Sequence, residues 1–552
     1  MNHAGQTPAT PGAGSSLVLT VLAAGQFLMT LDSSVMNVSM ASVAADLGTP
    51  VTGIQTAITL YTLVMATLMI TGGKVGTMLG RKRAFATGLV VYGVGSLITA
   101  VAPNLGVLLL GWSVLEGLGA VLIMPAIVAL VAANFPVARR AAAYGLVAAA
   151  GAGAVAIGPM IGGAVTTFAS WRYVFLGEVF LVLAILLVLR RVADVAAAPV
   201  RLDLAGAALS VSGLGMFVYG VLRSSDWGWV RPRPGGPQLL GLSPVIWLLL
   251  SGLITLYGLL RWEARLVRAG REPLIDAALL GNPQLVGGLG MFFAQFLVQA
   301  GVFFAVPLYL SVALELSAVE TGLRVLPLSV ALVLTAAGLP KLRPRAGPRR
   351  TVRFGLTAMI VGIMILVAGL DPGAGAGVVL IPMVFLGLGL GALSAQLGAV
   401  TVAAVPDTRS AEVGGLQNTA TSLGASLGTA LIGSVLIATL IGAARTGIDG
   451  NPEVPASVQQ QATTQLADGA SFVSTTQLRA ALDAAGVPPA TADAIVSVNT
   501  DARLTALRAA LALAAALAVV ALFGTGLLPR RAVGTATDPG PPPTRTDQGG
   551  RT

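Results

Sequence analysis

The chain alternates long apolar runs with short polar breaks, most of them basic. A helix needs about 20 apolar residues to cross a bilayer. Runs of that order lie near 17–43, 53–75, 84–102, 105–133, 141–167 and 172–190. Two more lie near 204–222 and 244–262, and six more near 284–309, 319–339, 352–370, 377–403, 412–442 and 504–528. The pattern predicts an all-α polytopic membrane protein with 14 spans, grouped six, two and six.

The basic residues test that count. Arg81, Lys82 and Arg83 follow the second run, and Arg139 and Arg140 follow the fourth. Arg190, Arg191 and Arg201 follow the sixth, and Arg261, Arg265, Arg268 and Arg271 the eighth. Lys341, Arg343, Arg345, Arg349, Arg350 and Arg353 follow the tenth, Arg409 the twelfth, and Arg530 and Arg531 the last. The short loops after odd-numbered runs are nearly bare, apart from Arg172 and the Arg231/Arg233 pair. Short cytoplasmic loops collect Lys and Arg, so this alternation places both termini in the cytoplasm. An error of one span would scramble it.

Composition agrees. The 552 residues are 55% hydrophobic and 10% charged, whereas soluble domains carry about 25% charged residues. The net charge of +10 sits in loops rather than in a stripe, so it reads as a topology signal and not as a nucleic-acid surface. There is no cysteine, which excludes disulfides and thiolate metal sites. The single histidine, His3, lies in a polar tail and takes no part in chemistry at membrane depth. Only 3 of the 33 basic residues are Lys, and Ala and Gly abound, a bias that points to a bacterial source and its cell membrane. Residues 1–16 lack a basic region before the apolar run and are expected to be an uncleaved disordered tail. The organisation expected is a six-helix bundle at 17–192, a linker with two extra helices at 193–280, and a second bundle at 281–528. A polar segment at 444–502 is expected as an external cap between the last two spans, and 529–552 as a second disordered tail.

Three carboxylates fall inside apolar runs: Asp32, Glu116 and Glu178. A carboxylate at bilayer depth costs at least about 2.5–3.5 kcal/mol, so each needs water, a bound proton or a partner. None has a Lys or Arg at similar depth in the first six runs. Clustered, they would repel one another and relieve the repulsion by taking up protons. The competing reading is a carboxyl satisfied by neighbouring Ser, Thr or Asn side chains. Gln295, Gln299, Asn418 and Thr421 are the polar positions in the later runs; they fit either a cavity wall or ordinary interhelical hydrogen bonds.

Several motifs carry a resemblance. Residues 72–85 read Gly-Gly-Lys-Val-Gly-Thr-Met-Leu-Gly-Arg-Lys-Arg-Ala-Phe after the second run. Leu31, Asp32, Ser34, Asn37, Val38 and Ser39 form a signature in the first run. Gly145, Ala154, Gly158, Pro159, Gly162 and Gly163 form a small-residue row with a proline in the fifth. Over 17–528 the chain resembles the major facilitator superfamily, in its 14-span multidrug:proton antiporter branch. The resemblance implies two six-helix bundles related by a pseudo-two-fold axis, with two helices between them. It implies proton-coupled export of hydrophobic, cationic drugs by alternating access, with no enzymatic activity, no cofactor and no metal. Asp32, Glu116 and Glu178 would couple protons and attract the cation, and Asn37, Gln295, Gln299 and Asn418 would line the cavity. Gly73, Gly80, Arg81 and Lys82 would form the cytoplasmic gating motif, and the row from Gly145 to Gly163 the antiporter motif. The implied partners are a hydrophobic small molecule, protons and the bilayer, with a monomeric protein and no nucleic acid.

Departures from the family pattern are specific. Thr77 and Met78 replace the gating motif's Asp and Arg, and Pro344 replaces the Asp of a degenerate second copy. In the fourth run Ser113 replaces the family's Arg and Glu116 its Gln. Glu178 stands where the family has Asn. Two other readings stay open at this stage: export of an endogenous lipid or secondary metabolite, and a non-transporting membrane sensor or assembly factor.

Overall fold

A computed structural model describes residues 14–49, 51–191, 201–233, 235–343, 346–406, 409–449, 451 and 474–530. The expectations for the two tails, for Pro344 and for 452–473 lie outside them. Fourteen helices long and apolar enough to cross a membrane are present. We number them α1 (Gly14–Asp46), α2 (Val51–Leu79), α3 (Arg81–Ala100), α4 (Leu105–Asn134), α5 (Val137–Phe168) and α6 (Arg172–Leu189). Then come α7 (Leu204–Trp227), α8 (Pro244–Arg268), α9 (Pro283–Leu308), α10 (Ala318–Leu342), α11 (Pro348–Gly369), α12 (Leu380–Val402), α13 (Ser410–Asp449) and α14 (Pro489–Gly524). Several helices start where a side chain accepts from the first-turn amides. Asn282 caps α9 ahead of Pro283, and Ser317 and Glu320 close a reciprocal capping box on α10.

The pairing of helices repeats with an offset of eight. In the first half α1 packs on α5, α2 and α3 on α4, and α3 on α6; in the second, α9 packs on α13, α10 and α11 on α12, and α11 on α14. The seam between the halves obeys the same relation: α2 meets α13 as α10 meets α5, and α4 meets α13 as α12 meets α5. This is two six-helix bundles related by a pseudo-two-fold axis. The described basic loops counted above all follow even-numbered helices and so share one end of the helix array, the basic face.

Seam contacts run from mid-membrane toward the basic face. A Cβ on Gly73 would sit 2.7 Å from the Ala411 carbonyl oxygen, so α2 and α13 cross with backbones nearly touching. Beside that crossing, Lys74 pairs with Glu412 at 3.2 Å, both side chains almost wholly buried. Lys74 lies three residues before Thr77, which stands where the family's gating motif has Asp. Gly398 packs against the Tyr144 ring, and Ser329 donates to the Ala152 carbonyl at 3.1 Å.

The extra helices α7 and α8 pack on each other, and α7 lies on both α2 and α13, across the seam. Ile70, Ala207, Leu214, Leu274, Ile275, Leu416 and Leu423 form one apolar cluster spanning these elements. Next to it Arg409 pairs with Asp276 at 2.7 Å, and its guanidinium holds the Asp276 carboxyl below the usual carboxylate range. A depressed folded-state value means that this tie contributes above the ordinary Asp value and is lost as pH falls through the folded one. Asp276→Asn is therefore expected to lower the thermal unfolding temperature near neutral pH, and the gap to wild type should close in strong acid.

The last two spans outrun their apolar cores. α13 continues to Asp449 and α14 begins at Pro489, with a short cap helix, Thr475–Ala484, between them. Ile448, Ala494 and Ile495 bury against Leu478, Leu482, Val487 and Val498 to hold this cap together. Thr476 donates its amide and hydroxyl to Glu315 at 2.9 and 2.6 Å, which ties the cap to the end of α9.

Candidate functional site

Asp32, Glu116 and Glu178 converge. One carboxylate oxygen from each lies within 4.8 Å of the others, and the three residues are 0%, 0% and 2% exposed. They reach this point from α1, α4 and α6, inside the first bundle rather than at the seam. Glu178 lies six residues into α6 and Glu116 eleven into α4, so they sit about 9 and 16 Å below the face opposite the basic one. Measured along the helices, Glu178 is the nearest of the three to the end remote from the basic face, and Glu116 and Asp32 lie deeper.

Local chain geometry sets up the meeting. Within α4, Leu109–Glu116 forms a π-helical segment, an irregularity that often marks functional sites. It ends on Glu116. Opposite, α3 presents Gly95, where an added Cβ would lie 2.7 Å from the Gly111 carbonyl oxygen and 2.8 Å from Glu116 Cγ. Glu116 fits only because that side chain is absent.

Each carboxyl is half satisfied. Trp112 Nε1 donates to Asp32 Oδ1 at 2.7 Å. Thr99 Oγ1 donates to Glu116 Oε1 at 3.2 Å. Ser96 Oγ and Tyr92 Oη donate to Glu178 Oε2 at 2.9 and 3.1 Å. The second oxygens, Asp32 Oδ2, Glu116 Oε2 and Glu178 Oε1, are buried without a hydrogen-bond partner. The ring of Tyr61 stacks on Trp112 at 4.9 Å, and its buried hydroxyl lies within reach of Asp32 and Ser33. The buried bases among the described residues are engaged elsewhere: Lys74 with Glu412, Arg140 with the Phe135 and Ala132 carbonyls, and Arg503 with Thr475 and Thr500. Ser113, which stands where the family has Arg, turns its hydroxyl to the Ala57 carbonyl.

The other sequence-predicted positions divide. Asn37 lies on α1, but its side chain is outside the described residues. Gln295 is buried, donates to Ser394 at 3.3 Å and leaves its own oxygen unpartnered. Asn418 donates back to the Gly414 carbonyl of its own helix, and Gln299 is half-buried on α9. Gly80, with φ of 91°, makes the turn between α2 and α3. Arg81 donates to the Ala129 carbonyl and Lys82 to that of Arg190. Gly158 and Gly162 seat α5 on Ser34 and Val35 of α1, Gly145 faces Ala336 across the seam, and Pro159 and Gly163 lie on α5. Sequence reasoning missed Tyr61, Tyr92, Ser96, Thr99 and Trp112 around the triad, and the Lys74–Glu412 pair.

Two related bundles with buried acids in one and a tight seam between them describe a secondary transporter. The chain belongs to the Major Facilitator Superfamily, whose family model matches residues 22–429. It is 31% identical to the puromycin resistance protein pur8 of Streptomyces alboniger over 76% of this chain and 81% of that one. It is 31% identical to the cephamycin export protein CmcT of Amycolatopsis lactamdurans, over 78% and 86% of the two chains. With the multidrug resistance protein Stp of Mycobacterium tuberculosis it shares 25% over 77% and 76%. Its fold is similar to that of the human organic anion transporter MFSD10, with a TM-score of 0.56 and 13% identity over 94% of this chain and 100% of that one. Members of this family are transporters and not enzymes.

Proposed function

We propose that this protein exports hydrophobic small molecules from a bacterial cell in exchange for protons, that cationic compounds are favoured, and that the carboxylate triad holds the protons. The observation that carries this reading is three buried acids with three unpartnered oxygens and no base beside them. Three negative charges cannot share a sealed site of that size, so the triad holds protons, and exchange of those protons is the step that would couple transport. The names of the relatives, which speak of puromycin resistance, cephamycin export and multidrug resistance, support a drug or secondary metabolite as cargo.

The positive-inside rule makes the basic face cytoplasmic. In that orientation the closed seam would face the cytoplasm and protons would reach the triad from the exterior. With the seam open inward and protons released, the net negative charge of the first bundle attracts a cationic cargo to the interface between the halves. External protons cancel that charge after the switch, and the cargo leaves.

The test is transport in proteoliposomes under an imposed pH gradient, with a dye cation and a neutral lipid as alternative cargoes. Wild-type protein is expected to move the cation. Asp32→Asn and Glu116→Gln are each expected to reduce gradient-driven flux to that of protein-free vesicles. Full flux in both variants would refute proton coupling through the triad, and a preference for the neutral lipid would refute the cationic cargo.

A further inference from the structure

We infer that the outer end of α10 seats the headgroup of a phosphatidylethanolamine from the surrounding bilayer, with Arg324 on its phosphate and Glu320 on its ammonium. The site belongs to the second bundle, at the end remote from the basic face, and shares no helix with the carboxylate triad. Leu316, Glu320, Leu323, Arg324 and Leu380 line an open-sided cavity of about 210 Å³ there. A water takes up about 30 Å³ of liquid, so the space admits a group several times that size.

The rows of α10 show which way the cavity opens. Ser329 and Ala336 turn to Ala152 and Gly145 of α5, across the seam. Ala331 and Thr335 meet Gly387 and Gly391 of α12. Leu323, Val330 and Leu334 are exposed along a third row. Residues seven apart lie nearly two full turns apart and share a helix face. Arg324 therefore falls on the row of Ala331, which meets α12, and Leu323 on the exposed row of Val330. The cavity sits in the groove between α10 and α12, open to lipid and turned away from the seam.

Depth then orders the two charges. α10 has 25 residues, about 37 Å at helical rise, against a hydrocarbon core of about 30 Å. Its first turn thus reaches into the headgroup layer. Glu320 is in that turn, and Arg324, four residues on, lies about 6 Å deeper on the adjoining surface. A phosphoethanolamine headgroup has the same order, with its ammonium outermost and its phosphate next to the acyl chains, where Leu323 and Leu380 offer an apolar wall. Glu320 Oε2 accepts from the amide and hydroxyl of Ser317 at 2.9 and 2.8 Å, which fixes the carboxylate. Arg324 is half-buried and has no hydrogen-bonded partner among the described residues. Its planar fork of N–H groups matches phosphate oxygens. An arginine that only reaches for the interface would take any phospholipid. The carboxylate one turn above selects a headgroup with N–H donors.

The experiment measures lipid retention by native mass spectrometry. The full chain is delipidated in detergent and offered phosphatidylethanolamine, phosphatidylcholine or phosphatidylglycerol with identical acyl chains. Phosphatidylcholine keeps the phosphate and the positive charge but has no N–H, and phosphatidylglycerol has no cation. We expect one phosphatidylethanolamine to be held about tenfold or more tightly than either of the others, the worth of a charge-assisted hydrogen bond. Arg324→Gln should remove that lipid. Glu320→Gln still closes the capping box and so keeps the helix start; it should hold the lipid with the preference gone. Equal retention of the three lipids by the wild type, or an unchanged first lipid in Arg324→Gln, would overturn the inference. Phosphatidylglycerol held as tightly as phosphatidylethanolamine would do the same, because it would leave an arginine that meets any phosphate.

Discussion

Lys74→Glu is expected to open the basic face of the resting protein and to cut transport by at least about tenfold. The substitution places two carboxylates where a buried ion pair now stands at 3.2 Å, with the two side chains 6% and 11% exposed. Removing one partner of a buried pair typically costs about 3–5 kcal/mol, because the other charge is left without compensation. That penalty applies only while the seam is shut. Once the halves part, water reaches both groups, so the substitution shifts the balance between states rather than unfolding the chain. The double variant Lys74→Glu/Glu412→Lys restores the attraction with reversed polarity and should recover most of the flux. Because the chain has no cysteine, a single Ala336→Cys reports the seam directly. Ala336 is fully buried against Gly145, so its alkylation should be slow in wild type, fast with Lys74→Glu and slow again in the swap. Equal alkylation rates in all three would show that the pair does not hold the seam.

Gly95→Ala is expected to be nearly as damaging, although it adds one carbon. That carbon would lie 2.7 Å from the Gly111 carbonyl oxygen, 2.8 Å from Glu116 Cγ and 2.9 Å from the Glu116 amide nitrogen. Two of these three atoms are backbone, so relief requires α3 and α4 to move apart. Overpacking of this kind costs about 1–3 kcal/mol and would here displace a triad member. The unfolding temperature should fall and gradient-driven flux with it. Gly177→Ala is the control: it adjoins Glu178 in sequence, yet nothing lies within 4 Å of its added carbon. It should leave the flux unchanged, and a loss equal to that of Gly95→Ala would locate the fault elsewhere.

Much of the fold was legible because burial in lipid leaves a coarse signal. Runs of apolar residues and the alternation of basic loops depend on nothing distant, and the 14 helices follow them closely. The ends of α13 and α14 did not follow, because their extensions pack on the cap through scattered residues such as Ile448 and Ile495 that no hydropathy window registers. At the site, the three acids stood out one by one, since an unpaired carboxylate in an apolar run is conspicuous. Their meeting did not, because it depends on how α1, α4 and α6 rotate against α3. Tyr61, Tyr92 and Trp112 read as ordinary core aromatics until an acid is seen beside them. Lys74 and Glu412 are 338 positions apart, and no local spacing joins them.

The placement of α7 has a consequence for how greasy compounds approach. The halves meet along two flanks, one formed by α2 and α13 and the other by α5 and α10. The hairpin of α7 and α8 roofs the first, while no further described helix lies over the second. Should the halves part at their basic end, a molecule drifting sideways out of the lipid would meet an added helical wall on one flank and only the packed α5–α10 seam on the other.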